Sequence, residues 1–260
     1  MIFQIKSYLK FLLKSQNEHG LHSPFVYDLV TKCFYDKSRY PEYELIRKYR
    51  NDLLSDRSEI SVTDFGAGSR VFKSDKRPVF AMAKQAGSTL HRTKLLFRIC
   101  EYLNVKNALE LGTSLGIGSV AMAANAELQL TSIEGCPGIA KKAAEQFGKF
   151  RLRKIQLINQ PFSEAISKLA SEHPTPNYDL IFFDGNHQKE ATLEYFERLL
   201  PSAHNDSVFI FDDIHWSEGM QEAWEEIKNH PKVRVSIDTF QWGLIFFRKE
   251  QAKQHFKIRV

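Results

Sequence analysis

Residues 107–119 read "NALELGTSLGIGS", a short apolar run followed by a segment with three glycines, and residues 120–126, "VAMAANA", continue it as a good helix start. Glycines let the backbone approach a ligand closely, and the N–H groups at the start of a helix attract anionic ligand groups. The run "LTSIE" ends in Glu134, about 20 residues after Gly112, where nucleotide-binding domains place the carboxylate that holds the ribose. The stretch therefore predicts a strand, a nucleotide-binding loop and a helix in succession.

A second glycine-containing segment, "VTDFGAGSR" at residues 62–70, competes for the same role. It runs into "VFKSDKRPVF", which has no apolar helical face and contains a proline, and no acid lies about 20 residues after Gly66. We therefore expect this segment not to hold the nucleotide. We interpret residues 61–90 as a lid loop in which Arg70 pairs with an anionic group of a substrate, and an exposed arginine in a tight turn is the alternative.

From residue 105 onward, short apolar runs alternate with helical patterns, which favours a parallel sheet covered on both faces. Residues 233–238 and 242–247 are too close together for a crossover helix and are expected to form an antiparallel hairpin. We predict an α/β fold: a Rossmann-like doubly wound sheet of five parallel strands plus a C-terminal antiparallel hairpin. Residues 1–90 are predicted to form an N-terminal helical extension with the lid loop, and residues 91–260 the nucleotide-binding domain.

Composition limits the class of protein. The chain has 260 residues, 43% of them apolar, which suits one domain of ordinary size with extra elements, or at most two small domains. Its three cysteines lie far apart in sequence and form no ligand-type pair, so we predict reduced thiols and a cytoplasmic location. No apolar run reaches the roughly 18 residues that a membrane span needs.

The net charge of +5 is unevenly distributed along the chain. Residues 68–98 contain eight lysines and arginines but a single acid, Asp75, which suits nucleic acid, anionic lipid or an acidic small substrate. Residues 1–14 predict a basic amphipathic helix. Such a helix packs its apolar side on its own domain or lies on an anionic membrane surface, and we favour the first interpretation.

Acidic residues end two successive predicted strands. Asp184 follows one run and Asp212 and Asp213 end the next, so their carboxylates are expected to meet at one sheet edge, where oxygen ligands suit Mg²⁺. Alternatively, Asp184 contacts only the nucleotide, and Asp212 and Asp213 cap the following helix. His187, three residues after Asp184, is the first candidate for a general base, and a structural role, hydrogen-bonding between loop backbones, is the alternative. His215 is a second candidate that we assign to the substrate site.

Three segments together resemble a known family. "LELGTSLGIGSVAMA", "FFDGNH" and "FIFDDI" resemble motifs of class I S-adenosylmethionine-dependent methyltransferases, in the branch of catechol O-methyltransferase-like and bacterial small-molecule O-methyltransferases, over about residues 92–248. The spacing Gly112-xxx-Gly116-x-Gly118 differs from the G-x-G-x-x-G of dinucleotide enzymes, which makes a dehydrogenase a distant alternative.

The resemblance implies roles for residues of this chain. Glu110 and Gly112 would lie against the methionine part of S-adenosylmethionine, Glu134 would bind the ribose, Phe162 would lie near the adenine, and Asp184 would lie beside the transferred methyl group. The implied cofactor-binding set is Glu110, Gly112, Thr113, Gly116, Gly118, Glu134, Phe162 and Asp184. The resemblance also implies that acids at the positions of Asp184, Asp212 and Asp213 hold a divalent cation such as Mg²⁺, although catechol O-methyltransferases have an amide where this chain has Asp213.

The sequence thus predicts an S-adenosylmethionine-dependent methyltransferase that acts on an oxygen of a small molecule, with Asp184 and His187 as its catalytic residues. Two alternatives stay open: an RNA methyltransferase, suggested by the basic segment 68–98, and a non-catalytic partner subunit that binds the cofactor. No recognisable RNA-binding module supports the first alternative. The sequence identifies neither the methyl acceptor nor the oligomeric state.

Overall fold

The computed structural model describes residues 2–63, 75–85, 89–171 and 177–260. The helices of this part are α1 (Ile2–Lys14), α2 (Pro24–Leu29), α3 (Glu42–Ser55), α4 (Val79–Gln85), α5 (Leu90–Tyr102), α6 (Ile117–Ala123), α7 (Pro137–Lys149), α8 (Phe162–Ser171), α9 (Lys189–Leu199) and α10 (Glu218–Asn229). The strands are β1 (Glu59–Ser61), β2 (Lys76–Pro78), β3 (Asn107–Leu111), β4 (Gln129–Glu134), β5 (Ile155–Asn159), β6 (Tyr178–Phe183), β7 (Ala203–Asp212), β8 (Val235–Asp238), β9 (Trp242–Phe246) and β10 (Gln254–Lys257). Short 3₁₀ turns lie at Glu18–Gly20 and Leu200–Ser202, and a π-helical turn at Val30–Phe34 follows α2.

The chain divides into two compact units, one formed by Asp36–Ala165 and the other by Met1–Tyr35 with Ile166–Val260. We call them the central unit and the terminal unit. This division does not fall at residue 90, where the sequence suggests the start of the binding domain.

The central unit carries the glycine-rich stretch. Its strands β3, β4 and β5 are parallel and lie in that order, with Glu110 opposite Ser132 and Glu134 opposite Asn159. Helix α3 of the N-terminal extension packs against α4, α5 and α6. It contributes Tyr49 and Leu53 to a buried cluster that also contains Val120 and Phe147. The extension therefore shares a core with the first strand–helix unit of the predicted binding domain.

In the terminal unit, β6 and β7 are parallel, and β9 pairs antiparallel with both β7 and β8. The predicted β8–β9 hairpin is confirmed. A further strand that the sequence did not suggest, β10, lies parallel to β8 and pairs Lys257 with Asp238. The short antiparallel pair β1–β2 in the central unit was also not predicted. The fold is α/β and Rossmann-like, with mostly parallel strands flanked by helices, as expected.

Helix α1 forms as predicted, but it does not bury the predicted side. Ser7 and Phe11 are its buried residues, whereas Ile5, Leu9 and Leu13 are 55%, 56% and 87% exposed. The expectation that α1 packs its apolar side on its own domain is therefore wrong for these three residues. Among the described residues, no helix has both the length and the apolarity to cross a membrane.

Candidate active site

The glycine loop adopts a conformation that requires its glycines. Strand β3 ends at Leu111 and α6 begins at Ile117, and between them Gly112 and Gly116 have φ angles of 106° and 77°. These angles lie in the left-handed region, which side chains other than glycine adopt only at a cost. At Gly116, a Cβ atom would lie 2.5 Å from Tyr49 Oη and closer still to the Phe147 ring. The Tyr49 hydroxyl also donates to the Leu115 carbonyl at 2.9 Å, so α3 holds this loop in place.

Glu134 reaches the same loop from the end of β4. Its Oε2 accepts the Ser114 N–H at 2.9 Å, and its Oε1 accepts the Cys136 N–H at 2.9 Å. The side-chain amide of Asn159 donates to the Glu134 carbonyl at 2.7 Å. The glycine loop and Glu134, which the sequence spacing predicted to act together, therefore lie within hydrogen-bonding distance of each other.

Glu110 lies inside the central unit, 1% exposed. Its Oε2 accepts hydrogen bonds from the Ser119 hydroxyl and, at 2.5 Å, from the Ser132 hydroxyl, which is itself 2.5 Å from Thr113 Oγ1. Burial raises the pKa of Glu110 to about 7, although both serine hydrogen bonds favour the charged form. This network joins β3, β4, the glycine loop and α6. The carboxylate of Glu110 is thus occupied within the fold, and its contact with the methionine part of the cofactor stays a prediction.

The other predicted cofactor residues occupy consistent positions. Thr113 is buried in the loop, and Gly118 is buried in the first turn of α6. Phe162 is half-buried at the start of α8, after β5. Their contacts with a cofactor stay predictions.

The acids of the terminal unit do not converge as predicted. Phe183 is opposite Phe211, so Asp184 and Asp212 leave adjacent parallel strands at the same edge. However, successive residues of a strand point to opposite faces. Asp212 lines a cavity of about 10 Å³ with His187, while Asp213, with a left-handed φ of 54°, lines a different cavity of about 370 Å³.

The structure gives no support to the magnesium prediction, which stays a prediction. Within the part of the chain that the structure describes, which includes Asp184, Asp212 and Asp213, no group of three His, Cys, Asp or Glu side chains is placed to hold a metal ion. The donor set expected for Mg²⁺ is therefore not brought together.

His187 lies in the smaller cavity, with Tyr195 and Asp212 among the neighbouring residues. A volume of about 10 Å³ is about that of one water molecule by this measure. The role of His187 as the general base stays a prediction.

The larger cavity contains the other predicted histidine. Its volume is about 370 Å³, and it lies between α1 and two loops of the terminal unit, lined by Gln4, Ile5, Tyr8, Leu9, Asp213, His215, Trp216, Phe240 and Gln241. The ring of His215 stacks on Phe240 with centroids 5.0 Å apart, and its Nε2 lies 3.1 Å from Asp238 Oδ2. The same Asp238 oxygen accepts from Lys257 Nζ at 2.9 Å.

The sequence interpretation missed Asp238, Lys257 and the α1 residues of this cavity. The available signal was that Asp238 ends the apolar run "VRVSID", because acids at strand ends mark functional edges. Arg70, predicted to bind substrate, lies outside the described residues, as do Gly66 and Gly68 of the competing glycine segment.

Comparison with known proteins agrees with this geometry. Residues 109–214 match a protein family described as "Methyltransferase domain". A search of curated proteins found no match.

Several solved methyltransferase structures have a fold similar to that of this chain. A putative O-methyltransferase from Klebsiella pneumoniae superposes with a TM-score of 0.57 at 16% identity, covering 82% of this chain and 92% of that one. For the SAH-bound Podospora anserina methyltransferase PaMTH1, the TM-score is 0.61 at 13% identity, with 88% and 97% covered. For the O-methyltransferase TomG from Streptomyces achromogenes, in complex with SAM, the values are 0.55 and 19%, with 63% and 82% covered. These likenesses, at 13–19% identity, establish the fold, and residues 109–214 are similar to the family described as "Methyltransferase domain".

Proposed function

We propose that this protein transfers a methyl group from S-adenosylmethionine to an oxygen of a small molecule. The observation that carries the proposal is the contact between Glu134 and the glycine loop, at 2.9 Å to the Ser114 N–H. It combines a carboxylate at the end of the second strand of the unit with a loop that permits close backbone approach, which is the arrangement that binds a nucleoside.

The residues present suit the cofactor. Glu134 lies at the end of β4 beside the glycine loop, which is the position from which a carboxylate accepts the hydroxyls of a ribose. Gly112 and Gly116 give the loop its shape, and the buried network of Glu110 fixes that loop against β4. Phe162 offers an apolar ring at the start of α8 for an adenine.

The chemistry demands little beyond positioning. When bound, S-adenosylmethionine supplies an activated methyl group on a sulfonium leaving group. The chain must align the acceptor oxygen for in-line attack, exclude water and remove the acceptor proton. The described residues bring no group of three His, Cys, Asp or Glu side chains together, and we derive no step through a metal.

The likeness to O-methyltransferase structures supports an oxygen acceptor. The RNA alternative rested on the basic segment 68–98, and two of the cationic side chains of this segment contact Tyr43 within the central unit. Arg98 is buried and donates to Tyr43 Oη at 3.2 Å, and Lys94 lies 4.8 Å from the centroid of the Tyr43 ring. These two side chains therefore make contacts inside the central unit, which weakens the argument for RNA and favours a small-molecule acceptor.

A methyl-transfer screen tests the proposal. The protein would be incubated with S-adenosylmethionine labelled in its methyl group and with separate panels of phenols, sugars and RNA. We expect label in a hydroxylated small molecule. Cofactor binding without transfer to any panel would favour the non-catalytic partner subunit, and transfer to RNA alone would establish the RNA methyltransferase.

A further inference from the structure

We propose that helix α1 binds the surface of an anionic membrane, with its exposed apolar side chains inserted among the lipid headgroups and its lysines against the negative charges of those headgroups. This inference goes beyond the proposed function and does not depend on it. All the residues that carry it belong to the terminal unit.

Helix α1 is fixed on its unit along one face. Phe11 is 3% exposed, and the centroid of its ring lies 5.6 Å from that of Phe240. Ser7, one turn earlier, is also buried. Just after the helix, the Gln16 N–H donates to the Lys257 carbonyl at 2.7 Å, which joins this end of α1 to β10. These contacts hold the helix in one orientation, and that orientation determines which side chains face solvent.

The opposite face of α1 is apolar. Ile5, Leu9 and Leu13 recur every four residues, so they form one stripe along the helix. Leu13 is 87% exposed, and the other two are more than half exposed. Tyr8 lies beside this stripe and is 45% exposed, and tyrosine is enriched where a membrane meets water. Single exposed apolar side chains are normal, but a contiguous row of them marks an interaction surface.

Three lysines flank the apolar stripe. Lys6, Lys10 and Lys14 each follow one residue of the stripe, so they lie about 100° further around the helix, along one side of it. All three are exposed, and none forms a salt bridge with a described residue. A lysine can lay its methylene stem along an apolar surface while its ammonium group reaches a polar one. An apolar stripe beside a basic one is the pattern of helices that lie in the plane of a membrane interface.

The charge around α1 is complementary to anionic lipid. The helix contains no acidic residue. Arg259 adds an exposed cation near its end, where the Arg259 N–H donates to the Gln16 carbonyl at 3.3 Å. Two acids lie in adjoining segments, Glu18 and Asp213, and both are half-buried. The exposed charge of this face is therefore positive, and each lysine or arginine close to an anionic membrane strengthens binding to it.

A second copy of the chain is a poorer match for this face. In a two-fold contact the same surface meets itself. The lysines of α1 would then lie near the lysines of the partner, and the helix has no acid to neutralise them. Like charges brought together at an interface oppose association.

The first test measures binding of the full chain to vesicles by sedimentation. We expect the protein to sediment with vesicles that contain phosphatidylcholine and phosphatidylglycerol in equal parts, but not with phosphatidylcholine alone. Added salt should weaken the binding, because it screens the charges. Replacing Lys6, Lys10 and Lys14 together by glutamine should weaken it about fivefold per lysine, or on the order of 100-fold in all. Leu13→Gln should weaken it by about tenfold, through the loss of apolar burial in the lipid.

The matched control removes the same charge from the other end of the strands. Lys232 and Lys253 are exposed and precede the parallel strands β8 and β10, and exposed Lys249 follows the antiparallel strand β9. All three therefore lie at the edge opposite to Lys257, where the chain after α1 is joined to β10. Replacing them together by glutamine should leave vesicle binding close to that of the wild type.

The second test locates the contact. The three cysteines of the chain are buried, so a cysteine introduced at an exposed position can be labelled selectively with a polarity-sensitive fluorophore. On addition of the anionic vesicles, we expect the emission of labelled Leu13→Cys to shift to shorter wavelength and that of labelled Lys232→Cys to stay constant. Circular dichroism of each variant should match the wild type, because every replaced side chain is exposed.

Several results would overturn the proposal: no binding of the wild type to the anionic vesicles, equal binding by the α1 lysine variant and its control, or binding that leaves the label at position 13 unshifted. Sedimentation velocity of the protein without lipid tests the competing occupant. A dimer that Leu13→Gln dissociates, together with no vesicle binding, would assign this face to a second copy of the chain and refute the membrane contact.

Discussion

Replacing Gly116 by alanine tests how the loop is held. The residue has a φ of 77°, and a left-handed backbone costs a residue other than glycine about 1–2 kcal/mol. The new Cβ would also lie 2.5 Å from Tyr49 Oη and closer to the Phe147 ring, and both side chains are buried. Overpacking of such a site costs about 1–3 kcal/mol. We therefore expect Gly116→Ala to lose about 2–5 kcal/mol of unfolding free energy.

Gly148→Ala is the control, because a Cβ at this exposed position near the end of α7 meets nothing within 4 Å. Alanine in a helix is more stable than glycine by about 0.5–1 kcal/mol, so this variant should equal or exceed the wild type. Urea unfolding, followed by circular dichroism, measures both variants. If Gly116→Ala were within about 0.5 kcal/mol of the wild type, the normal range for uninvolved sites, the packing of Tyr49 and Phe147 on this loop would be refuted.

Three further changes test the two units separately. Burial raises the pKa of Glu110 from 4.5 to about 7, so the free energy of unfolding without cofactor should fall as pH rises between these values. Glu110→Gln should abolish this fall and raise the free energy of unfolding at pH 8 by about 1–3 kcal/mol, measured by urea unfolding. An unchanged pH dependence in the variant would contradict this. Asp56 is half-buried, which raises its pKa, but hydrogen bonds from Lys142 and the Ser58 N–H outweigh this and lower the pKa from 3.8 to about 2. Its contribution to stability is therefore present above pH 3.8 and lost as pH falls through about 2. Asp56→Asn should therefore cost about 1–2 kcal/mol at pH 7, with the cost shrinking in acid, and a pH-independent cost would argue against the ion pair. In β9, a Cβ on Gly243 would lie 2.5 Å from the Trp224 ring, so Gly243→Ala should cost about 1–3 kcal/mol in thermal or urea unfolding, and a neutral result would refute the close packing of α10.

The glycine loop and its acid could be predicted because their relation depends on local spacing. A parallel strand–helix–strand unit places the end of β4 beside the end of β3, so Glu134 contacts the loop at Ser114. This contact does not depend on residues that are distant in sequence. The same logic predicted the β8–β9 hairpin, since a short connection leaves no other pairing.

The acid cluster and the histidine pair could not be predicted in this way. Asp212 and Asp213 are adjacent in sequence, but strand alternation and the left-handed backbone of Asp213 direct them to different cavities. His215 and Asp238 are brought together by the position of β8 in the sheet, which local spacing does not encode. Periodicity also predicted the α1 helix without indicating which of its faces would be buried, because that depends on the packing partner.

The central claim, that Glu134 and the glycine loop bind S-adenosylmethionine, is tested most directly by calorimetric titration of this cofactor into the wild type and Glu134→Ala. Charge-assisted hydrogen bonds contribute about 1.5–3 kcal/mol, so the variant should bind roughly 10–150-fold more weakly. The control is Glu127→Ala, which removes an exposed acid that precedes β4 and lies 3.8 Å from Lys106, and this variant should bind as the wild type does. Equal affinity in the Glu134 and Glu127 variants, or no binding by the wild type, would contradict the account.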